Sequence, residues 1–272
     1  MTAVKICGIT EVDHALAALE AGADLLGFVL APSRRRSSPE RVASMVDRCR
    51  RSFPPGQRPW QAVGVFANQP LEFVLEAAAS CSLDIVQLSG QEAPEYCRRV
   101  PLPLFRAVHV ADLLLSFEPA GPSGDPEAGA PAREAPECRP AVEGEVPFDV
   151  GAPSSLDGPR SSGARQRLEP PVLEATLRRL GERYGAARLL LDSGGGGRWG
   201  GTGRPFAWSS IGPAAHDCLV AGGLTPRNVA RAMAILRPWG VDVSSGVERD
   251  GRKDPDLIRR FIMEVRRADV DG

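Results

Sequence analysis

Short apolar runs of strand length alternate along the chain with longer stretches in which apolar residues recur at helical spacing. The short runs are rich in valine, isoleucine and leucine and stay apolar at successive positions, which is typical of strands covered on both faces. They occupy residues 4–9, 25–30, 61–67, 84–89, 103–110, 187–193, 218–223 and 240–245. The pattern predicts eight parallel strands, most of them followed by a helix.

Capping sequences support two of the predicted helices. Ser38-Pro39-Glu40 and Thr225-Pro226 each place a hydroxyl residue before a proline, an arrangement typical of a first helical turn. The predicted helices cover residues 11–20, 39–50, 70–80, 91–99, 171–184, 225–237 and 254–268.

These units predict an α/β protein built as a single-domain (β/α)₈ barrel. That fold takes about 250 residues, and the chain has 272. An open doubly wound sheet is the alternative. A Gly-x-Gly-x-x-Gly sequence after the first strand would favour the sheet, but only Gly8 follows that strand.

One segment interrupts the alternation. Residues 117–170 are rich in proline, glycine, alanine and glutamate and nearly devoid of aromatic side chains. Such a composition buries too little apolar surface to offset the entropy lost on ordering. We predict a disordered insertion after the fifth strand, which is either an expanded surface loop without a role or a docking segment for a partner.

Charge and composition narrow the class of partner. The net charge is −1 with both signs mixed along the chain, which argues against nucleic acid and against an anionic membrane. No apolar run approaches the ~20 residues of a membrane span, and no leader pattern is visible, so a soluble cytoplasmic protein is expected. The six cysteines are scattered without a Cys-x-x-Cys pair, which predicts neither a disulfide framework nor a zinc site.

Two glycine-containing loops predict a phosphate site. In a (β/α)₈ barrel the active site lies at the carboxyl ends of the strands, and the loops after strands seven and eight often bind phosphate through backbone N–H groups. The sequences AGGLTPRNV and DVSSGVE follow those two strands. The alternative is that their glycines only form tight turns. The candidate phosphate-binding residues are Gly222, Gly223, Ser244, Ser245 and Gly246.

Asp192 is the candidate acid. It ends the sixth strand and precedes a loop with seven glycines between Gly194 and Gly203, a composition that favours a lid closing over substrate. Closure would exclude water and raise the pKa of Asp192. The alternative is that Asp192 caps the N–H groups of this loop.

Cys7 ends the first strand and is the candidate base. The thiolate is the reactive form, and its ordinary pKa is about 8.5, so Cys7 needs a positive or hydrogen-bonding environment at neutral pH. Residues Arg34 to Arg36 would supply part of it. The alternative is that Cys7 is a small apolar core residue.

The strand ends carry a series of distinctive motifs, namely KICGIT, GFVLAPSRRRSSPERV, VGVFANQ, VQLSGQE, FRAVHV, LLLDS, GGTGRPFAW, LVAGGLTPRNV and GVDVSSGVE. Together they resemble the phosphoribosylanthranilate isomerases of tryptophan biosynthesis. The resemblance implies an Amadori rearrangement of a phosphorylated sugar amine by proton transfer alone, without metal or organic cofactor. It places the acid on Asp192 and the base on Cys7.

The resemblance also implies three substrate-binding residues. Arg35 would pair with the anthranilate carboxylate as a planar fork, Gln87 would line the pocket floor, and Asp242 would lie beneath the substrate. The chain departs from the family pattern at Ser89, where a histidine is usual, and at Ala207, where an aspartate is usual. The second change removes a possible helix cap worth about 1 kcal/mol.

Two other functions stay open at this point. A sugar isomerase of histidine biosynthesis would use paired aspartates and two phosphate sites, whereas this chain has Cys7 and one recognisable phosphate site. A weakly catalytic barrel would act as a scaffold or ligand-binding protein through residues 117–170, and the departures at Ser89 and Ala207 motivate that reading. The oligomeric state is left as monomer or homodimer.

Overall fold

The computed structural model describes residues 1–54, 56, 59–115, 170–193 and 206–271. The predicted disordered insertion lies outside the described residues except for Pro170, and the glycine-rich loop from Gly194 to Gly203 lies outside them entirely. Both predictions therefore stay predictions.

Eight parallel strands form a closed barrel in which each strand pairs with the next and the last pairs with the first. This confirms the (β/α)₈ barrel and excludes the open sheet. The barrel strands are β1 (Ala3–Cys7), β2 (Leu25–Val29), β3 (Gln61–Phe66), β4 (Ile85–Leu88), β5 (Leu104–His109), β6 (Arg188–Asp192), β7 (Leu219–Val220) and β8 (Gly240–Val243). A small antiparallel pair, β9 (Glu248–Arg249) and β10 (Arg252–Lys253), follows β8.

Helices follow the strands around the outside of the barrel. They are α1 (Val12–Ala21), α2 (Pro39–Ser52), α3 (Leu71–Ser80), α4 (Pro94–Cys97), α5 (Val110–Leu115), α6 (Pro170–Tyr184), α7 (Val229–Leu236) and α8 (Pro255–Asp271). Short 3₁₀ helices span Trp208–Ser210, Gly212–Ala215 and Ser245–Val247.

The two predicted helix starts have different outcomes. Ser38 caps α2 by accepting a hydrogen bond from the Arg41 backbone N–H, with Pro39 at the first helical position, as predicted. The start at Thr225 is wrong, because α7 begins at Val229. The Thr225 N–H donates instead to the Asn228 side-chain oxygen at 2.7 Å, so residues 225–228 form a turn.

Successive residues of each strand point alternately into the barrel and towards the helices. This alternation determines which side chains reach the carboxyl-terminal mouth of the barrel. An inner apolar cluster fills the interior, while Val4, Ile6 and Phe28 face the helices. Residues two positions further along the strands share the inward orientation and therefore reach the carboxyl-terminal mouth. The inner cluster consists of Leu25, Val63, Ile85, Phe105, Leu190, Leu219 and Ala221.

Other sequence expectations concern cysteines, metals and membranes. Among the described residues five cysteines are free thiols, namely Cys7, Cys49, Cys81, Cys97 and Cys218. Within the same ranges no group of three or more histidine, cysteine or acidic side chains is arranged to hold a metal ion. No helix in the described part of the chain is long and apolar enough to cross a membrane.

Candidate active site

A cavity of about 510 Å³ opens at the carboxyl ends of the barrel strands. It is lined by strand ends and by the loops that follow β2, β7 and β8. Every site residue predicted from the sequence contributes to the lining. These residues are Cys7, Arg35, Gln87, Asp192, Gly222, Gly223, Asp242, Ser244, Ser245 and Gly246.

Cys7 lies at the floor of the cavity, beside a buried lysine that the sequence interpretation missed. Lys5 precedes Cys7 by two positions on β1, so both side chains point into the barrel. The Lys5 side chain has no exposed surface, and its ammonium donates to Asp242 Oδ1 at 3.0 Å. The cations acting on Cys7 are Lys5 and Lys253 rather than the expected arginines.

Burial dominates the ionisation of Cys7. Loss of hydration raises the pKa of the Cys7 thiol, and the nearby Asp242 carboxylate adds to this, whereas Lys5 and Lys253 oppose it. Burial alone would lower the pKa of Lys5, but Asp242 and Cys7 outweigh it and raise the pKa above its ordinary value. The two groups therefore favour each other's charged form: the Lys5 ammonium favours the Cys7 thiolate, and the thiolate favours the ammonium.

The raised pKa of the Cys7 thiol predicts that its alkylation becomes fast only at a higher pH than for an ordinary thiol. Because only the thiolate reacts with iodoacetamide, the rate at Cys7 should rise with pH, with a midpoint above the ordinary value of about 8.5. The rate is measured by mass spectrometry of the Cys7 peptide in a Cys138→Ser background, since Cys138 lies outside the described residues. A midpoint below that value would contradict the burial argument.

Arg35 reaches the cavity from the loop after β2 and is held by a carboxylate. Its Nε and Nη2 donate to the two oxygens of Glu248 at 2.6 and 3.0 Å. The Arg35 side chain crosses directly over Gly8, where a Cβ would collide with it, and Gly8 also has a left-handed φ of 78°. Gly8 is therefore required both for the backbone turn and for the path of Arg35.

Glu248 joins several cations at the rim. Besides Arg35, it accepts from Lys253 Nζ at 2.7 Å and from Arg34 Nη2 at 3.0 Å. Burial would raise the pKa of Glu248, but the bonds from Arg35 and Lys253 outweigh it and lower the pKa to about 2. The side chain is 5% exposed, so this carboxylate is a fixed counter-charge in the wall of the site.

Glu248→Gln should lower stability at neutral pH by about 1.5–3 kcal/mol, because charge-assisted bonds are lost and three cations remain together. A carboxylate with a depressed folded-state pKa contributes stability above its ordinary pKa of 4.5 and loses it as the pH falls towards about 2. Urea unfolding from pH 7 down to pH 2 should therefore show a shallower acid loss in Glu248→Gln than in wild type.

The matched control for this experiment is Glu76→Gln, a carboxylate on the exposed face of α3. It should unfold like the wild type across the same pH range. Equal acid loss in wild type and Glu248→Gln would contradict the role given to this cluster.

Asp192 stands at the end of β6, next to the end of β5. The register pairs Asp192 with His109, and both line the cavity. Asp192 is partly buried, and the loop predicted to close over it lies outside the described residues. Asp192 and Cys7 thus border one cavity from different strands, as a paired acid and base require.

The loops after β7 and β8 form another part of the cavity wall. Gly222 and Gly223 have φ angles of 86° and 67°, and Ser193 occupies the space that a Cβ on Gly222 would take. At Gly246 a Cβ would collide with the Leu224 carbonyl oxygen. The two loops therefore touch backbone to backbone, and side chains at these positions would separate them.

The Ser244 side chain is engaged in bonds within the protein. Its hydroxyl donates to the Cys7 carbonyl oxygen at 3.0 Å and accepts from Lys253 Nζ at 3.2 Å. The hydroxyl therefore ties β8 to the end of β1, and what Ser244 offers to a phosphate is its backbone.

Gln87 forms part of the cavity floor with a free acceptor. The residue is 4% exposed, and its Nε2 donates to the Ser89 hydroxyl at 3.1 Å. Its Oε1 is buried and accepts no hydrogen bond from the described part of the protein. A substrate N–H or O–H would satisfy this atom, since a buried acceptor without a donor is costly. Ser89, which stands where the family usually has a histidine, thus accepts a hydrogen bond from the Gln87 amide.

Ala207, the second departure from the family pattern, precedes the 3₁₀ helix Trp208–Ser210. It occupies the N-cap position and makes no side-chain capping bond. The position at which the family usually has an aspartate is therefore a helix start, as the resemblance to the family implied.

Comparison with known proteins agrees with this geometry. The family model for N-(5'-phosphoribosyl)anthranilate isomerase matches residues 4–120 and 160–264. The chain belongs to this family. A relative named N-(5'-phosphoribosyl)anthranilate isomerase from Desulfitobacterium hafniense is 35% identical, with 98% of each chain covered. One from Desulforudis audaxviator is 36% identical, covering 98% of this chain and all of that relative.

A solved phosphoribosylanthranilate isomerase from Thermotoga maritima has the same architecture. It is 30% identical, with a TM-score of 0.65, and the match covers 98% of this chain and 99% of that one. A second structure, solved in complex with reduced 1-(o-carboxyphenylamino)-1-deoxyribulose 5-phosphate, gives a TM-score of 0.62 at 29% identity over the same shares. Membership of the family thus rests on sequence and on fold.

Proposed function

We propose that this chain converts N-(5'-phosphoribosyl)anthranilate into 1-(2-carboxyphenylamino)-1-deoxyribulose 5-phosphate by acid–base catalysis, with Asp192 as acid and Cys7 as base. The observation that carries the assignment is the single cavity that gathers both residues with the two glycine loops and Arg35. The family match and the relatives' shared name support the reaction.

The cavity walls suggest how the substrate lies. Backbone N–H groups of Gly222, Gly223 and the Ser245–Gly246 turn would bind the phosphate, because glycines let the main chain approach its oxygens. Arg35, which also lines the cavity, would bind the carboxylate of the anthranilate, using the N–H groups that Glu248 leaves available. Asp242 lies beneath, already paired with Lys5.

Apolar side chains next to Cys7 suit the aromatic ring. Val29, Ala31 and Val65 form a small buried cluster with Cys7, and Ala67 packs against it. All of them line the cavity. A flat ring on this surface would place its carboxylate towards Arg35 and its amine-bearing sugar carbon towards Cys7.

The reaction needs only proton transfers. Asp192 donates a proton to the furanose ring oxygen, the C-1 to oxygen bond breaks, and the nitrogen lone pair forms a Schiff base. The Cys7 thiolate then takes the proton from C-2, the released electron pair forms the C-1 to C-2 double bond, and the electron pair of the C–N double bond returns to the nitrogen. The enol hydroxyl finally loses its proton while C-1 gains one, which gives the ketone. Positioned acids and bases contribute about 10²–10⁴-fold each.

Partners follow from this chemistry. The proposed partner is one phosphorylated small molecule, and no step in this scheme calls for a cofactor. A Thermotoga maritima relative at 29% identity is described as dimeric, and for this chain a monomer or homodimer is proposed.

Rescue of a tryptophan-requiring bacterial strain that lacks the isomerase tests the function. Wild-type chain should restore growth without tryptophan, while Cys7→Ala at equal soluble expression should not. Failure of the wild-type chain despite soluble expression would overturn the proposal and favour the scaffold alternative.

A further inference from the structure

We propose that Lys5 is a positioning residue for Cys7: its buried ammonium, anchored by Asp242, holds the sulfur at the cavity floor and stabilises the thiolate. The inference rests on the proposed function, in which Cys7 is the base. Lys5 itself does not line the cavity, so it acts through Cys7 rather than on the substrate.

The first observation is the cost of placing Lys5 where it is. Its side chain is completely shielded from solvent, and burying an ammonium costs several kcal/mol unless nearby groups repay it. One partner is Asp242, which accepts a hydrogen bond from the ammonium at 3.0 Å, and the Cys7 side chain on the same strand is the second group that favours the charged form of Lys5. An apolar residue would fill this interior position at lower cost.

The second observation is the glycine that faces this pair. Gly27 on β2 lies opposite Cys7 in the strand register. A Cβ at Gly27 would lie 2.9 Å from Cys7 Sγ and 3.1 Å from Lys5 Cε. Glycine therefore leaves the space in which the two side chains meet, since real Cβ atoms are not found this close to such neighbours.

The third observation is the balance of charges around the sulfur. Lys5 acts from the same strand, Asp242 from β8 and Lys253 from β10. Lys5 and Lys253 favour the thiolate, and Asp242 disfavours it. Lys253 is already bonded to Glu248 and Ser244, and Lys5 opposes the effect of burial on the pKa of Cys7 more strongly than Lys253 does. Lys5 is therefore the principal cation that offsets the burial of the sulfur.

This arrangement has a role in each turnover. The thiolate carries its negative charge next to the Lys5 ammonium, and uptake of the C-2 proton neutralises the sulfur while Lys5 stays charged. Neighbouring Asp242 fixes the ammonium so that it need not reorient as the sulfur changes charge, which is the advantage of a preorganised site.

Alkylation of Cys7 tests the inference without requiring turnover. In the Cys138→Ser background, Lys5→Met should raise the midpoint of the pH profile and lower the rate at pH 8 by at least about tenfold, which corresponds to one pKa unit. Asp242→Asn should move the midpoint downwards, because it removes a negative charge beside the thiolate while the amide oxygen still offers an acceptor that anchors Lys5. The control Arg36→Met removes an exposed cation near the rim and should leave the midpoint unchanged.

The opposite shifts separate this role from a structural one, since loss of packing would not move the thiol pKa in two directions. A wild-type profile in folded Lys5→Met would overturn the inference. If Lys5→Met does not fold, an unchanged or raised midpoint in Asp242→Asn would overturn it. The proposed function would fail on a different result, normal turnover in Cys7→Ala. Failure of the proposed function and failure of this inference can therefore be told apart.

Discussion

Cys7→Ala is expected to lower kcat by about 10³-fold while the barrel stays folded. In the proposed mechanism the Cys7 thiolate takes the C-2 proton, and alanine has no proton acceptor. Only a small buried side chain is shortened, and the Lys5–Asp242 ion pair remains. Steady-state conversion of N-(5'-phosphoribosyl)anthranilate gives the rate, and circular dichroism and thermal unfolding check the fold.

Cys218→Ala provides the matched control for this variant. Cys218 is 3% exposed and precedes β7, away from the cavity lining. Its loss also shortens a buried thiol, so kcat should stay within about twofold of wild type, since no reacting group is removed. Equal activity of Cys7→Ala and Cys218→Ala would remove Cys7 from the mechanism.

Asp192→Asn should reduce kcat by about 10²–10³-fold with a smaller change in KM. The amide keeps the size and hydrogen-bonding capacity of the side chain but has no carboxyl proton to deliver to the ring oxygen. The loss therefore falls on ring opening and not on substrate binding. The measurement is kcat and KM for both proteins at the same pH.

The control for the acid is Asp217→Asn, an aspartate whose side chain is 75% exposed and lies outside the cavity. This variant should match the wild type in both constants. If Asp192→Asn also kept its kcat, the acid would have to be another group, and His109 across the register would be the next to test.

The positions of the strands and the residues that line the cavity could be predicted from the sequence, because both depend on regular spacing of residues along the chain. Apolar runs located all eight strands, and inward-facing positions repeat every second residue. Gln87, Asp192 and Asp242 therefore reach the mouth once the barrel closes. Closure brings residues from distant parts of the chain to one end, which is why motifs far apart in sequence line one site.

Residues that act through long side chains were not predictable in this way. Glu248 and Lys253 reach Arg35 and Ser244 from the short strand pair β9–β10, which no pattern in the sequence predicted. Lys5 did carry a signal, since it is a charged residue at an inward position of an apolar strand, two residues before Cys7. The predicted start of α7 was wrong for a local reason. The Asn228 side-chain oxygen accepts a hydrogen bond from the Thr225 N–H, so the chain forms a turn there and the helix begins after it.

Proton removal from C-2 by Cys7 is the central claim, and single-turnover kinetics test it most directly. Turnover at different pH values is less decisive, because one proton shared between an acid and a base gives the same profile whichever group holds it. Wild type and Cys7→Ala are each mixed with substrate carrying hydrogen or deuterium at C-2. Deuterium should slow the wild-type reaction, and Cys7→Ala should form almost no product. Conversion by Cys7→Ala at the wild-type rate would contradict the central claim.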